Sequence, residues 1–402
     1  MAQLNGQSRA SARSARVLHL DHTSEPGGAE LALLRVLTAP RLWRAALRVP
    51  GAADGGAGVF EPLARGARMK LILAGVRQKP GASGHLRLSS LSAFVAAAVL
   101  ESLQLRASRA FRTADVVHAN TSRSAVYGAV ASWATRKALV VHLRDMVSPE
   151  SLGGVGYQLF TRLALRRADA VIANSASTLA SAEPHLGPRV ARHVIPSPIG
   201  LAPRAEAAVV RPFVLTVGMV ARIDPWKGQD LLLEAFAAAF AGTATRLVFA
   251  GGAPFGKHEA LETLRARAEA LGVEDRVDYL GHVDDVWAAI ERFDICVQAS
   301  TRPEPLGQNV LQYLVSGKPV IAVDAGGPAE WIRHGENGLL VQLGSVEELT
   351  DALRALAADV RLREALARGA AATPGIGSDD EIAALHGEVF DASRERRRGR
   401  RR

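Results

Sequence analysis

The sequence predicts an α/β protein with two domains in tandem, each built on a parallel sheet. Short apolar runs that are typical of buried strands alternate with segments that carry apolar residues at helical spacing. The chain has 402 residues, which is more than one hydrophobic core usually serves. The alternation also restarts after residues 201–212, which are rich in Pro and Ala and lack periodicity. We therefore expect a first domain at residues 16–200, a linker at 201–212 and a second domain at 213–375.

Both ends of the chain are expected to lie outside the two cores. Residues 1–15 are rich in Ser, Ala and Arg and contain no apolar stretch, which predicts a disordered leader. Residues 376–393 predict a C-terminal helix, with a return to the first domain as one option. The arginine-rich tail at 394–402 is interpreted as disordered and solvated. Contact with anionic lipid head groups is the alternative for this tail, whereas the lack of an aromatic-rich basic face disfavours nucleic-acid binding.

The composition is that of a globular protein from a reducing compartment. Hydrophobic residues make up 48% of the chain and charged residues 22%, with a net charge of +9. The single cysteine, Cys296, cannot form an internal disulfide. No segment has the roughly 18 consecutive apolar residues that a membrane-spanning helix needs. We expect a cytoplasmic protein, with peripheral contact at the inner face of an anionic membrane as an option for the tail and for the basic helical segment 86–111.

Candidate ligand-binding residues of the first half follow its predicted strands. Gly27 and Gly28 lie between the strand at 16–20 and the helix at 31–37. Backbone without side chains lets a ligand approach closely there, although a tight turn explains the pair equally well. Four further polar residues fall at the carboxyl ends of predicted strands, the edge at which open α/β sheets bind ligands: His118, Asn120, His142 and Asn174.

In the second half, one strand-to-helix loop carries two permanent positive charges. Arg222 and Lys227 lie five residues apart, between Gly218 and Gly228. An arginine fork and a lysine point charge beside a helix N-terminus suit a diphosphate. A solvated basic loop is the alternative, and the flanking glycines favour the diphosphate site.

A second loop in this half leads from the predicted strand at 294–299 onto a helix at 306–316. Glu304 precedes the helix N-terminus, where a negative charge is tolerated or stabilised. Gly307 lets the loop backbone come close to a ligand. Gln312 lies eight residues after Glu304, on the first turns of the helix, where its amide is placed to hydrogen-bond a ligand hydroxyl. A plain exposed glutamine is the alternative at that position.

Several segments, in this order, resemble the GT4 family of retaining glycosyltransferases, which have the GT-B fold. Residues 213–228 are similar to the family's VGR-x-x-x-x-KG segment, and residues 304–320 (EPLGQNVLQYLVSGKPV) to its E-x7-E motif and the strand that follows. Weaker similarity extends to other segments: 27–30, 115–118, 171–178, 279–286 and 326–338. The resemblance implies two Rossmann-like domains that face each other across a deep cleft.

The resemblance also implies roles for individual residues of the second domain. Arg222 and Lys227 would hold the donor diphosphate, with the backbone N–H groups near Leu306 and Gly307 facing the phosphate. Glu304 would bind the hydroxyls of the donor sugar. The position of Gln312 would contact the ribose of the nucleotide.

In the first domain the resemblance places His142 near the transferred sugar. Gly27 and Gly28 would approach the donor or acceptor from across the cleft. No metal or other cofactor is expected, because protein cations and helix ends would neutralise the leaving diphosphate. The catalytic residues are thus expected to be Glu304, His142, Arg222 and Lys227, and the donor-binding residues Gly27, Gly28, Gly218, Arg222, Lys227, Leu306, Gly307 and Gln312.

The chain departs from the family pattern in three places. Gln312 replaces the second acid of E-x7-E, and a neutral amide accepts hydrogen bonds less strongly than a carboxylate. Residues 196–199 (PSPI) replace the usual PNG(V/I) turn between the domains. His142 and Asp145, which are often adjacent in the family, are separated by two residues.

The resemblance implies an enzyme that moves a sugar from a nucleotide-diphosphate sugar to a glycan or lipid-linked acceptor, with retention of anomeric configuration. A catalytically silent nucleotide-sugar-binding or scaffold subunit is an alternative that Gln312 keeps open. A GT-B-type sugar epimerase is a second alternative.

Overall fold

A computed structural model describes residues 14–66, 69–75, 88–200, 209–253 and 258–399. Most of the predicted linker at 201–212, most of the predicted leader at 1–15 and the last three residues lie outside these ranges. Ala15, assigned to the leader, is fully buried, and its carbonyl accepts a hydrogen bond from the N–H of Arg44. The ordered first domain therefore begins before residue 16.

The first domain is built on a parallel sheet of seven strands. These are β1 (Arg16–Leu20), β2 (Arg44–Val49), β3 (Lys70–Leu73), β4 (Val116–Ala119), β5 (Ala138–Leu143), β6 (Ala170–Ala173) and β7 (Ala191–Val194). Their spatial order is β3-β2-β1-β4-β5-β6-β7. The helices along this part of the chain are α1 (Gly28–Thr38), α2 (Glu61–Arg65), α3 (Leu88–Ala107), α4 (Arg109–Thr113), α5 (Ser122–Ser132), α6 (Pro149–Leu152), α7 (Gly154–Leu159) and α8 (Ala176–Ala182).

The second domain repeats this architecture with a parallel sheet of six strands. These are β8 (Thr216–Val220), β9 (Arg246–Ala250), β10 (Val277–Gly281), β11 (Ile295–Gln298), β12 (Val320–Val323) and β13 (Leu339–Val341), in the order β10-β9-β8-β11-β12-β13. The helices are α9 (Gln229–Ala239), α10 (His258–Ala270), α11 (Val286–Glu291), α12 (Gln308–Val315), α13 (Gly327–Trp331), α14 (Val346–Ala358) and α15 (Val360–Ala371). The prediction of two α/β domains with parallel sheets is confirmed.

Each sheet reverses its strand order at one point. In the first sheet the reversal lies between β1 and β4, and in the second between β8 and β11. Loops leaving the carboxyl ends of strands diverge at such a point and open a crevice that binds ligands. The loops after β8 and β11 carry Lys227 and Glu304. The topology therefore selects the same two loops that the motifs selected.

The last described helix, α16 (Asp379–Gly399), returns to the first domain. Ile382, Ala383, Val389 and Phe390 are buried in one cluster with Val17 and other residues of the first sheet. This helix covers the face of the sheet that carries the side chains of Val116 and Val140. The core of the first domain is thus completed by residues far away in the sequence.

The prediction of a disordered arginine tail was wrong for residues 394–399, which continue α16. Arg394 is buried, Arg397 pairs with the Asp169 carboxylate at 3.5 Å, and Arg398 pairs with Asp115 at 3.4 Å. Arg397 also donates to the carbonyl of Thr135 at 3.0 Å. Because acceptors of the first domain meet these guanidinium groups, the helix continues where composition alone suggested a solvated coil. None of the helices in the described part of the chain combines the length and apolar composition needed to span a bilayer.

Candidate active site

Lys227 and Glu304 form an ion pair at the centre of the second-domain crevice. The loop after β8 ends in a short 3-10 turn at Pro225–Lys227, and Gly228 then starts α9 with a left-handed φ of 74°. A side chain at Gly228 would collide with the carbonyl of Ala299, so only glycine fits. This turn directs Lys227 toward the loop after β11, where its Nζ lies 2.8 Å from Glu304 Oε1.

Glu304 is held in its ionised form. Its carboxylate is buried, which alone would raise its pKa. The charge of Lys227 and hydrogen bonds from Lys227, Ser300 and Gln298 outweigh burial and lower the pKa below its usual value. All three donors converge on Oε1 of this carboxylate.

The loop that follows Glu304 is pressed against a second glycine turn. Gly307 adopts a left-handed φ of 70° and caps α12, and a side chain there would lie 2.6 Å from Pro328. A side chain at Gly327 would lie 2.5 Å from the Cα of Leu306. The N–H of Gly327 donates to the carbonyl of Glu304 at 2.8 Å. Leu306 has a buried side chain, so it can offer a ligand only its backbone, beside the first N–H groups of α12.

Arg222 is the exposed cation of the crevice. Its side chain is 46% exposed and lies 3.4 Å from the carboxylate of Asp224. Asp145 follows β5 in the first domain. Desolvation raises the pKa of Asp145. The charges of His22, Arg222, Arg144 and Arg123 oppose that rise, and the positive charge of Arg222 lowers the pKa of this carboxyl group across the cleft. Arg222 is therefore exposed and lies close enough to the first domain to act on the charge of Asp145.

Gly27 and Gly28 face the second domain at the start of α1. A side chain at Gly28 would point at Gln308 Oε1 of α12, 3.9 Å away. A side chain at Gly27 would lie 2.3 Å from Glu30 Oε2, so the glycine leaves space for that buried carboxyl group. The structure thus brings the Gly-Gly pair to the same helix end as Gly307.

A buried polar network beneath Gly27 was missed by the sequence analysis. Asn120 donates to the Asp21 carboxylate at 2.6 Å, and Arg144 donates to Asn120 Oδ1 at 2.9 Å. Arg144 also donates to Ser197 in the interdomain turn at 2.7 Å. The sequence places Asn120 at a strand end, but no local pattern predicts that Asp21 and Arg144 contact it.

Asp21, His22 and Glu30 are the group of potential metal ligands that the described residues bring together, with ligand atoms within 4.8 Å of one another. Burial and the neighbouring Asp21 charge raise the pKa of Glu30 well above its usual value. Asp21 already accepts hydrogen bonds from Asn120 and from the N–H of His22. The raised pKa of Glu30 lowers the negative charge that this group offers to a cation.

The structure places His142 away from the crevice, contrary to the prediction. Its side chain shares a face of β5 with Val140, the face that α16 covers, because side chains alternate along a strand. The buried ring packs against His118 and His386, with centroids 5.7 and 5.4 Å away. The two polar side chains that follow β5 at its open end are Arg144 and Asp145.

Two further predicted binding residues have structural partners instead. Gly218 lies inside β8, which extends to Val220, and a side chain there would be 2.1 Å from the Phe293 ring. Gln312 is buried, and its Nε2 donates to the carbonyl of Ile199 in the interdomain turn at 3.1 Å. Gly218 is thus a packing residue, and the amide of Gln312 is bonded to the turn rather than presented to a ligand.

Comparison with known proteins supports the resemblance. Residues 213–373 match the family described as glycosyl transferases group 1, and residues 64–202 match glycosyltransferase family 4. The structure superimposes on crystal structures of Anabaena HepE, including a complex with UDP, with a TM-score of 0.76 and 27% sequence identity. That match covers 94% of this chain and 100% of HepE. Sucrose-phosphate synthase from Thermosynechococcus elongatus, at 18% identity and a TM-score of 0.71, shares the fold.

Among curated proteins, the chain is 31% identical over 264 residues to an exopolysaccharide phosphotransferase of Streptomyces coelicolor. It is 32% identical over 209 residues to a lipopolysaccharide core biosynthesis mannosyltransferase of Rhizobium leguminosarum bv. viciae. These alignments cover 63% and 50% of this chain but only 26% and 58% of the relatives. The two matching families follow each other in order, one in each domain, on two Rossmann-like sheets of the GT-B type. The chain therefore belongs to the GT4 family of glycosyltransferases.

Proposed function

We propose that the protein transfers a sugar from a nucleotide-diphosphate sugar to a glycan or lipid-linked acceptor, with retention of anomeric configuration. The observation that carries this proposal is the ion pair of Lys227 and Glu304, set beside the α12 N-terminus at the point where the strand order of the second sheet reverses. The pair offers a cation to phosphate and a carboxylate oxygen to sugar hydroxyls. A nucleotide-diphosphate sugar carries both groups next to each other.

In the proposed reaction, negative charge builds on the departing diphosphate as the bond to the sugar breaks. Arg222 and Lys227 stabilise that charge, together with the N–H groups at the start of α12. These groups are fixed before the reaction by the turns at Gly228 and Gly307, so little reorganisation is needed. We propose that this protein charge replaces a metal ion, so that turnover continues in the presence of a chelator.

Retention follows in this proposal if the acceptor hydroxyl attacks from the face that the diphosphate leaves. The acceptor would enter from the first domain, past Gly28 and Asp145. Closure of the two domains would exclude water, which would otherwise hydrolyse the donor. The single cysteine, Cys296, is buried and has no second cysteine to pair with, which supports the further proposal that the protein works in the cytoplasm.

The rival hypothesis of a silent binding subunit rests on Gln312. The ordered pair of Lys227 and Glu304 favours catalysis, because a scaffold needs no ionised carboxylate at the sugar position. Turnover in the wild type compared with Lys227→Ala separates the two. A binding subunit would show nucleotide affinity without turnover in either protein.

The first experiment is thermal stabilisation of the purified protein by UDP, GDP and ADP, since a ligand that binds only the folded state raises the melting temperature. UDP is the first choice because the HepE crystals contain it. We expect one nucleotide to stabilise the wild type and Arg361→Ala, an exposed control in α15, but not Arg222→Ala/Lys227→Ala. No stabilisation by any nucleotide would contradict the proposal. NMR of the glycosidic product then reports the anomeric configuration.

A further inference from the structure

A second pocket lies in the first domain, at the end of the sheet opposite the active-site cleft. Its volume is about 390 Å³, which is within the size range of small-ligand sites. The residues that precede β5, β6 and β7 line it, so it opens at the amino edge of these strands. The six residues of β5 separate this pocket from the cleft edge by about 20 Å. A ligand in the pocket is therefore distinct from the sugar donor.

Positive charge dominates the pocket. Among the described residues that line it, Asp169 is the one carboxylate, and it is already engaged by the N–H of Leu139 at 3.0 Å and by Arg397 at 3.5 Å. Burial and the nearby charge of Arg397 lower the pKa of Arg167, which indicates mutual repulsion of the cations. Five cationic side chains line the pocket: Lys137, Arg166, Arg167, Arg189 and Arg397.

Two of these cations are held in place by uncharged groups. Lys137 donates to the carbonyls of Ala114 at 2.7 Å and Arg112 at 3.1 Å. Arg167 lies over the Trp133 ring, 3.3 Å from its centroid. Carbonyls and an aromatic face orient a cation but leave its net charge, so the pocket presents preorganised positive charge to solvent.

We propose that this pocket binds a phosphate-bearing anion. Guanidinium groups offer paired N–H donors that match phosphate oxygens, and a group with more than one negative charge compensates several cations at once. The anion belongs to a molecule other than the donor, because the donor diphosphate is assigned to the opposite edge of the protein. This inference does not depend on the proposed transferase activity.

The phosphate could come from a soluble compound or from a lipid head group, and the surface beside the pocket makes the second source testable. Leu103 on α3 is 60% exposed and Trp133 is 52% exposed, and Val99 and Leu100 are exposed on the same helix. Arg106, one turn after Leu103, donates to the carbonyl of Trp133 at 3.1 Å. Apolar side chains next to cations are the pattern by which a protein surface binds an anionic bilayer.

The test compares two double variants that change the net charge equally. Arg166→Glu/Arg189→Glu alters the pocket, and Arg265→Glu/Arg361→Glu alters exposed helix positions of the second domain. All measurements are made in the Arg222→Ala/Lys227→Ala background, so that anion binding in the donor cleft does not contribute. If charge reversal lowers the melting temperature by itself, Arg166→Ala/Arg189→Ala replaces the pocket variant and Arg265→Ala/Arg361→Ala replaces the control.

One arm measures thermal stabilisation by inorganic pyrophosphate, and the other measures sedimentation with vesicles of phosphatidylcholine with and without phosphatidylglycerol. In at least one arm, the control should bind pyrophosphate or anionic vesicles as tightly as its parent does. The pocket variant should bind the same probe about tenfold more weakly. If the pocket variant loses only the stabilisation by pyrophosphate, the ligand is a soluble phosphate compound. If the pocket variant loses vesicle binding, and Leu103→Ser weakens vesicle binding as well, the ligand is a lipid head group. Equal behaviour of the pocket and control variants in both arms overturns the inference.

Discussion

Glu330 in α13 of the second domain accepts two hydrogen bonds across the cleft from the start of α8, from the N–H of Ser177 at 2.6 Å and of Ala176 at 2.8 Å. Thr178 of the same helix donates to the carbonyl of Pro305, next to Glu304, at 3.0 Å. A carboxylate at a helix N-terminus is favourable because it meets unpaired N–H groups and the positive end of the helix dipole. These contacts link domain closure to the loop that holds Glu304.

Replacing Glu330 by alanine should therefore shift the ligand-free protein toward an open form. The variant loses two charge-assisted hydrogen bonds that exist only when the domains are in contact. We expect a larger radius of gyration in small-angle X-ray scattering, which returns toward the wild-type value when the donor nucleotide is added. Glu336→Ala, at an exposed position of the same domain, is the control. An unchanged radius would show that other contacts hold the domains together.

Lys227→Ala should reduce kcat/KM by about 100-fold or more, in the range measured when one stabilising group of a transition state is removed. The change also leaves Glu304 buried without its cation, which raises the pKa of this carboxyl group. The pH profile of kcat/KM should then show a loss of activity toward acid that starts at higher pH than in the wild type. Arg361→Ala should leave both quantities unchanged. A Lys227→Ala enzyme with wild-type kcat/KM would remove Lys227 from the proposed mechanism.

The stability of the protein should fall as the pH decreases below about 6.5. His19, His118, His142 and His386 form a buried cluster between the first sheet and α16, and each has a lowered pKa, mainly because of burial. The pKa is about 3 for His19 and about 4 for His386. The unfolded chain binds protons near pH 6.5 and the folded chain does not, so acid favours unfolding.

For His19 and His386 the expected loss is about 1.5 kcal/mol each between pH 6.5 and pH 5. Urea unfolding at the two pH values measures the loss, and His386→Phe should reduce the pH dependence even if its stability at neutral pH differs. His282→Phe is the control, because His282 is exposed. The same pH dependence in His386→Phe as in the wild type would exclude the cluster as its cause.

Gly218→Ala should destabilise the protein by about 1–3 kcal/mol, the usual range for overpacking a core. The added methyl group would overlap the ring of Phe293. The second change Phe293→Leu should recover part of the loss, because it removes the overlapping ring atoms. The nucleotide dissociation constant of the folded variant should equal that of the wild type. A weaker nucleotide affinity at unchanged stability would instead restore Gly218 to the binding site.

Gln312→Glu tests what the departure from the family motif does. The amide donates to the carbonyl of Ile199, and a carboxylate cannot donate, so two oxygens would face each other in a buried site. We expect a loss of about 1–3 kcal/mol in the free energy of unfolding. If Gln312 contacts the nucleotide ribose instead, the variant should bind nucleotide more tightly without losing stability. Calorimetry of unfolding and nucleotide titration together distinguish these outcomes.

The sequence predicts which residues belong to this site better than it predicts which residues contact each other. Lys227, Glu304 and Gly307 were assigned from local patterns, since charges and glycines between a strand and a helix report on the turn itself. The distances between them depend on which strands are adjacent, and β8 and β11 are neighbours in the sheet although β9 and β10 separate them in the sequence. The pairing of Lys227 with Glu304 was therefore visible only in the structure.

The errors share one physical cause. His142 was assigned to the site because it ends a strand, but the alternation of side chains turns it toward α16. Gly218 was assigned to a loop because the strand was expected to end at Val217, three residues before β8 ends at Val220. The buried faces of His142, Gly218 and Gln312 are each set by a partner distant in sequence: His386, Phe293 and Ile199. Local pattern carries no information on such partners.

The return of α16 has a consequence for the order in which the chain folds during synthesis. Phe390 packs against the rings of Trp43 and His19, so part of the first core is supplied by a helix that follows the entire second domain. The second domain can fold as soon as it emerges from the ribosome, whereas the first must wait with one face of its sheet uncovered until α16 arrives. We therefore expect the first domain to be completed after the second, the reverse of the usual order in which the N-terminal domain folds first. A nascent chain without α16 would expose that apolar face, and it is the species on which chaperones should act.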